Sequence, residues 1–69
     1  MFEEGDIIIP SMNNAQSVFE NPVPTYKICQ IGMGRVFAKN LITGEVEDIA
    51  LGYGEEYVEY YYNLLERRE

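Results

Sequence analysis

Between Tyr26 and Leu51 polar and apolar residues alternate in short runs, and each run stops at a glycine-bearing turn. Such a pattern admits strands and little else. In the first run Tyr26 and Ile28 fall on one side, with Lys27, Cys29 and Ile31 on the other. Gly32-Met33-Gly34 then supplies a tight turn with residues free to take positive φ. From Arg35 to Leu41 the alternation resumes, Val36 and Ala38 against Phe37 and Leu41. A second turn at Thr43-Gly44 leads into Glu45 to Leu51, where Val46 and Ile49 stand three apart and predict a bulge or bend. Ahead of this meander, Gly5-Asp6 opens into the β-branched run Ile7-Ile8-Ile9, which Pro10 stops. Residues 11–24, rich in Asn, Ser and Pro, read as a long loop whose Val18 and Phe19 can tuck onto the core. The expectation is four antiparallel strands, curled or covered so that their edges are protected.

The period changes at Glu55. Val58, Tyr61, Tyr62 and Leu65 follow helical spacing, Glu55, Glu56 and Glu59 sit near the N-terminal end, and Arg67 and Arg68 near the C-terminal end. These features predict a helix over residues 55–68. Its apolar positions would span an arc of roughly 200°, wider than the stripe of a little over 100° that packing on one sheet requires. The excess, rimmed by Tyr60 and Tyr62, is the expected surface for self-association as a homodimer. With 69 residues the chain is read as a single domain, residues 1–51 forming the β part and residues 55–68 the helix that caps it, an α+β class dominated by β.

Charge narrows the function. Twelve carboxylates against five Lys and Arg give a formal charge of −7. The bases Lys27, Arg35 and Lys39 are gathered in residues 27–39, whereas residues 40–66 hold seven carboxylates and no base. A chain this acidic repels phosphate backbones and anionic headgroups, so no direct nucleic-acid or membrane binding is expected and the natural partner is basic. Histidine is absent, which removes the commonest general base, Ser-His triads and most zinc sites. Glu45, Glu47 and Asp48 lack the alternating ligands of a calcium loop, and neither Gly32-Met33-Gly34 nor Gly52-Tyr53-Gly54 carries the third glycine of a dinucleotide fingerprint. Cys29, a single cysteine, reads as a small or half-buried hydrophobe in a reducing cytoplasm. No enzyme, cofactor or metal is expected.

On a helix running to residue 68, Glu55, Glu59 and Glu66 would share one face, with a rise of about 5.4 Å per turn that is close to the spacing of phosphates along a strand. Together with Glu56, and with Glu45, Glu47 and Asp48, they are the candidate partner-binding residues. The competing explanation is a solvated acidic face kept for solubility.

Met1-Phe2-Glu3-Glu4-Gly5-Asp6-Ile7-Ile8, then Tyr26-Lys27-Ile28 and Asn40-Leu41-Ile42-Thr43-Gly44-Glu45, resemble in order the elements of small SH3-like or Tudor-like barrels. The resemblance covers residues 1–51 and implies a partial barrel. In size, acidity and lack of His the chain also resembles the small host-takeover proteins of bacteriophages, several of which are DNA mimics. That likeness implies a non-enzymatic inhibitor in the host bacterial cytoplasm, occupying the basic DNA-binding surface of a host protein such as histone-like HU, uracil-DNA glycosylase or RNA polymerase. The alternative is an SH3-like interaction module or structural adaptor that binds through the 11–24 loop and its aromatics.

Overall fold

The computed structural model describes residues 1–67. Five strands form one antiparallel sheet: β1 (Ile7–Pro10), β2 (Tyr26–Gly32), β3 (Arg35–Asn40), β4 (Val46–Asp48) and β5 (Tyr62–Glu66). Two short helices, α1 (Gln16–Phe19) and α2 (Glu55–Tyr61), lie in the connections. The strand order is β4-β3-β2-β1-β5, with β4 and β5 as the two edges, so the sheet is open and not closed into a barrel.

Local chemistry explains the hairpins. Gly32 pairs with Arg35, leaving Met33 (φ 54°) and Gly34 (φ 75°) as the two central residues. Two successive positive φ values make a type I′ turn, whose twist matches that of the flanking strands. Between β3 and β4 the Asn40 side-chain oxygen accepts from the amides of Ile42 (2.8 Å) and Thr43 (3.2 Å), and its carbonyl accepts from Gly44 (2.7 Å). The Asn at the end of β3 thereby holds the whole loop.

Within β2 the register against β3 slips by one residue between Ile28 and Gln30, and Cys29 is the unpaired extra residue. A one-residue bulge reverses the parity of everything beyond it. Ile31, expected beside Lys27 and Cys29, is instead paired with buried Val36 and packs against the core. Cys29 is exposed rather than half-buried. The bend predicted near Val46 and Ile49 is present: β4 ends at Asp48, and Ile49 turns inward, its amide donating to the Val36 carbonyl at 2.9 Å.

The helix expected over residues 55–68 is corrected. α2 ends at Tyr61, and Tyr62 takes extended angles (φ −136°, ψ 150°) as the chain enters β5; the last residue of the expected helix lies outside the described residues. β1 explains the switch. β2 covers β1 from Gly5 to Ile8, whereas Ile9 and Pro10 find partners only on β5, in the register Ile9↔Asn63 and Pro10↔Tyr62. Leaving that edge of an apolar strand bare would strand backbone groups beside a core. Aromatic residues are also better strand formers than helix formers, so Tyr60-Tyr61-Tyr62-Asn63 gives up little local preference. The sheet has five strands where four were expected because the supposed helix supplies the fifth.

Ile8, Tyr26, Ile28, Val36, Ala38, Ile49, Ala50, Val58 and Tyr62 form the core on one face of the sheet. Val58 is the buried residue of α2. Val18 and Phe19, expected to tuck in, are 72% and 82% exposed on α1. No helix among the described residues is long and apolar enough to cross a membrane.

One charge is enclosed with this core. The Asp6 carboxylate is 1% exposed and accepts from the Glu3 amide (2.8 Å) and from Arg67 Nη2 (3.1 Å), which also donates to the Met1 carbonyl. Removing the cation leaves a buried carboxylate short of a partner. Arg67→Ala should lower stability by about 2 kcal/mol, with Arg67→Lys between the two, read as the shift of the urea midpoint at pH 7.

Candidate functional site

Leading into α2, the chain turns sharply through Leu51 (φ 54°), Gly52 (φ 85°) and Gly54 (φ 87°). Left-handed backbone at Gly52 and Gly54 is what only glycine adopts without strain, and it swings Tyr53 into line with the helix. Tyr53, Tyr57 and Tyr61 are four apart, one helical turn each. Their rings form a ladder: Tyr53 stacks on Tyr57 (centroids 5.1 Å, 26°), Tyr57 meets Tyr61 at 4.5 Å, and Tyr60 closes edge-on against Tyr61 at 4.8 Å. Tyr53 and Tyr60 remain 73% and 60% exposed.

The loop after β1 is pinned beside this ladder by polar side chains. The buried Ser11 hydroxyl donates to the Tyr60 carbonyl (3.1 Å), and Asn14 Nδ2 donates to the Tyr61 carbonyl (3.1 Å). Those carbonyls belong to the last turn of α2, where helical partners run out. Gln16 then joins two core tyrosines: its Nε2 donates to the Tyr26 hydroxyl (3.1 Å), and the Tyr62 hydroxyl donates to its Oε1 (3.3 Å). The Tyr26 and Tyr62 rings pack edge to face at 5.7 Å. Asn14, Gln16, Glu47, Ile49, Leu51, Tyr57 and Tyr62 line a recess of about 200 Å³.

Burial, the largest influence, raises the Tyr26 hydroxyl above its ordinary value, and the charges of Glu47 and Glu20 push the same way. Tyr62 is pushed up to about 12, again chiefly by burial. Glu47 lines the recess with Tyr62, and the charge of Glu20 reaches Tyr26. Glu20, which follows α1, was not among the sequence candidates; only the folding of the loop brings it near Tyr26.

The seven candidate carboxylates do not form one surface. Glu45 lies in the loop before β4, and Glu47 and Asp48 are adjacent on β4 opposite Ala38 and Phe37, hence on opposite faces of the sheet. Asp48 Oδ1 is engaged in structure, accepting from the Val36 (3.4 Å) and Ala50 (3.0 Å) amides. Glu55 and Glu59 flank Phe2, Ile31 and Val36 on the side of α2 away from the ladder, and Glu56 is exposed on the same helix. Glu66 stands on β5 opposite Ile7, in a row with Lys27. The expected helical row of Glu55, Glu59 and Glu66 is therefore broken, because the helix stops before Glu66. Of the two tyrosines assigned to self-association, Tyr60 is exposed, but Tyr62 is 6% exposed and belongs to the core. Among the described residues no three His, Cys, Asp or Glu side chains are placed to hold a metal ion.

The raised phenol gives a signed pH dependence. Between the unfolded value near 10 and about 12, folded Tyr62 keeps a proton that the unfolded chain has lost, so its contribution is full below pH 10 and is lost as pH rises through that window. Urea midpoints should fall from pH 10 upward, with Tyr62 contributing up to about 1.4 kcal/mol per pH unit. Tyr62→Phe should be about 1 kcal/mol less stable at pH 7, from the lost bond to Gln16, and should show a shallower decline above pH 10.

No protein-family model, no curated protein and no solved structure matches the chain.

Proposed function

We propose that the protein is a non-enzymatic interaction module that takes a basic, extended segment of a partner protein along its tyrosine ladder. The observation that carries this reading is the run Tyr53-Tyr57-Tyr61-Tyr60, its successive rings in contact with centroids 4.5–5.1 Å apart, beside a recess containing Glu47. Aromatic faces attract guanidinium and ammonium groups, and a nearby carboxylate adds Coulomb attraction. Extended peptides also dock readily in aromatic-lined grooves, because little further ordering is required of them. Glu20 and Glu47 give the surface the sign a basic segment needs. The antiparallel, mainly β sheet is the part of the SH3-like reading that supports an interaction module, and the exposed thiol of Cys29 fits a reducing cytoplasm.

Phosphate mimicry asks for carboxylates in a row along one surface, and α2 offers Glu55, Glu56 and Glu59 without Glu66. The tyrosine surface is the better-formed site. The test is fluorescence anisotropy against an array of labelled basic peptides containing Arg and Pro, repeated with duplex DNA as competitor. Tyr53→Ala and Glu47→Gln should each weaken the best peptide about tenfold, equivalent to about 1.4 kcal/mol, while the triple change of Glu55, Glu59 and Glu66 to Gln leaves it within about twofold. Dominance of the triple change would return the function to phosphate mimicry, as would displacement by DNA of a captured basic DNA-binding protein.

A further inference from the structure

The segment made of α2 and β5 is fastened to the rest of the molecule from several sides. β5 completes β1 in the register Ile9↔Asn63 and Pro10↔Tyr62, the Tyr62 hydroxyl donates to Gln16, and Arg67 reaches the enclosed Asp6. Ser11 and Asn14 hold the Tyr60 and Tyr61 carbonyls, and Val58 enters the core beside Ile8, Ile28 and Val36. Each of these contacts joins residues 55–67 to residues 1–50, so the same segment of a second copy meets the same partners. Only the connection between the two parts differs.

That connection is short and strained. It consists of Leu51 to Gly54, between the buried Ala50 and the first residue of α2. The Tyr53 amide donates to the Ala50 carbonyl at 2.8 Å, and Leu51 (φ 54°) and Gly52 (φ 85°) fill the two central positions of this turn, both left-handed. Glycine takes such angles freely, whereas in an L residue the Cβ crowds the following carbonyl. Leu51 is 63% exposed, so burial of its side chain does little to offset the strain. Extending the turn relieves Leu51, and five extended residue steps from Ala50 to Glu55 reach about 17 Å, enough to hand α2 to a neighbour. Short connections under strain are the condition in which copies of a chain exchange an element.

We infer that the chain forms a reciprocal dimer in which α2 and β5 of each copy complete the sheet and core of the other, with Leu51 to Gly54 as the opened hinge. The surface offered by one copy is the far edge of β1 together with Tyr26, Gln16 and Asp6, and what fills it is Val58 and the stretch Tyr62 to Arg67 of the second copy, an arrangement closed by a twofold axis. The two cores are the same in monomer and dimer, so the balance rests on the hinges and on the freedom lost in association. The turn bond from Tyr53 and its ring stack on Tyr57 favour the closed form, and the left-handed Leu51 opposes it. The monomer prevails in dilute solution. The dimer gains as the chain approaches about a millimolar, the local concentration that a short connection gives its own ends.

In the experiment the full chain is taken through its urea transition at about a millimolar, returned to buffer and sized by chromatography with light scattering. A dimer with the circular dichroism of the monomer is expected, slow to revert on dilution because α2 and β5 must detach first. Disulfide trapping separates exchange from a surface contact. In a Cys29→Ser background one chain carries Ile9→Cys and the other Asn63→Cys, so each has a single thiol and the two thiols face each other only where β1 of one copy pairs with β5 of the other. After the urea step the mixed disulfide should exceed its random share, and chains mixed without that step should show no excess. A Cβ at Gly52 meets open space, so Gly52→Ala acts on the closed turn alone and should raise the dimerisation constant about tenfold or more, two turns being opened in each dimer. Leu51→Asn, which tolerates the left-handed region, should lower it several-fold. The inference is overturned if no dimer forms, if the mixed disulfide stays at its random share, or if Gly52→Ala leaves the ratio of dimer to monomer unchanged.

Discussion

A strand with Ile7, Ile8 and Ile9 in succession must have hydrogen-bonding neighbours on both edges once it is buried, and most of the molecule follows from how β1 obtains them. β2 reaches only the first half of β1, from Gly5 to Ile8. The second half is completed by the far end of the chain, which is why Tyr62 leaves the helix and why β5 exists at all. The same pairing brings Arg67 to the enclosed Asp6 carboxylate, so that the two ends of the chain are joined by a ladder and by a charge.

Completing β1 with β5 also creates the site. With Tyr62 in a strand, its ring turns inward against Tyr26, and the two largely buried phenols bring their hydroxyls to one place. Gln16 satisfies the two at once, and Ser11 and Asn14 take the carbonyls that α2 leaves free. A polar loop that would otherwise wander is thereby fixed against the last turn of α2, and no buried side-chain polar atom among the described residues is left without a partner. Tyr57 and Tyr61 pack against the edge of the core, and with exposed Tyr53 and Tyr60 they form a run of touching rings along the helix. The ladder is the surface remainder of the packing that closes β1.

The two faces of the sheet differ in burial because a strand alternates. Val36 and Ala38 of β3 enter the core, and the odd positions, which carry its Arg, Phe and Lys, are displayed together on the outside. Across the molecule, Glu20 and Glu47 lie with the phenols.

Much of the fold is legible in the residues alone. Gly-bearing turns and alternation identify β1 to β4, and the spacing after Gly54 identifies the start of α2, because these signals are local and are paid in backbone geometry at the site where they are written. The end of α2 is not legible. Tyr61, Tyr62 and Leu65 satisfy a helical period as well as Tyr62 and Leu64 satisfy a strand period, and the decision rests with Ile9 and Pro10, about fifty residues away, whose backbone needs a neighbour. The bulge at Cys29 was within reach, since Ile28 and Ile31 stand three apart as Val46 and Ile49 do. The acidic row failed with the helix that carried it, for a face is a property of the element and not of the residue. Likewise the gathering of Lys27, Arg35 and Lys39 around Phe37 needs the register between β2 and β3. Residue types determined which charges and rings were available; only the pairing of distant strands decided which of them stand together, because register is set by the hydrogen bonds and buried side chains of both strands at once.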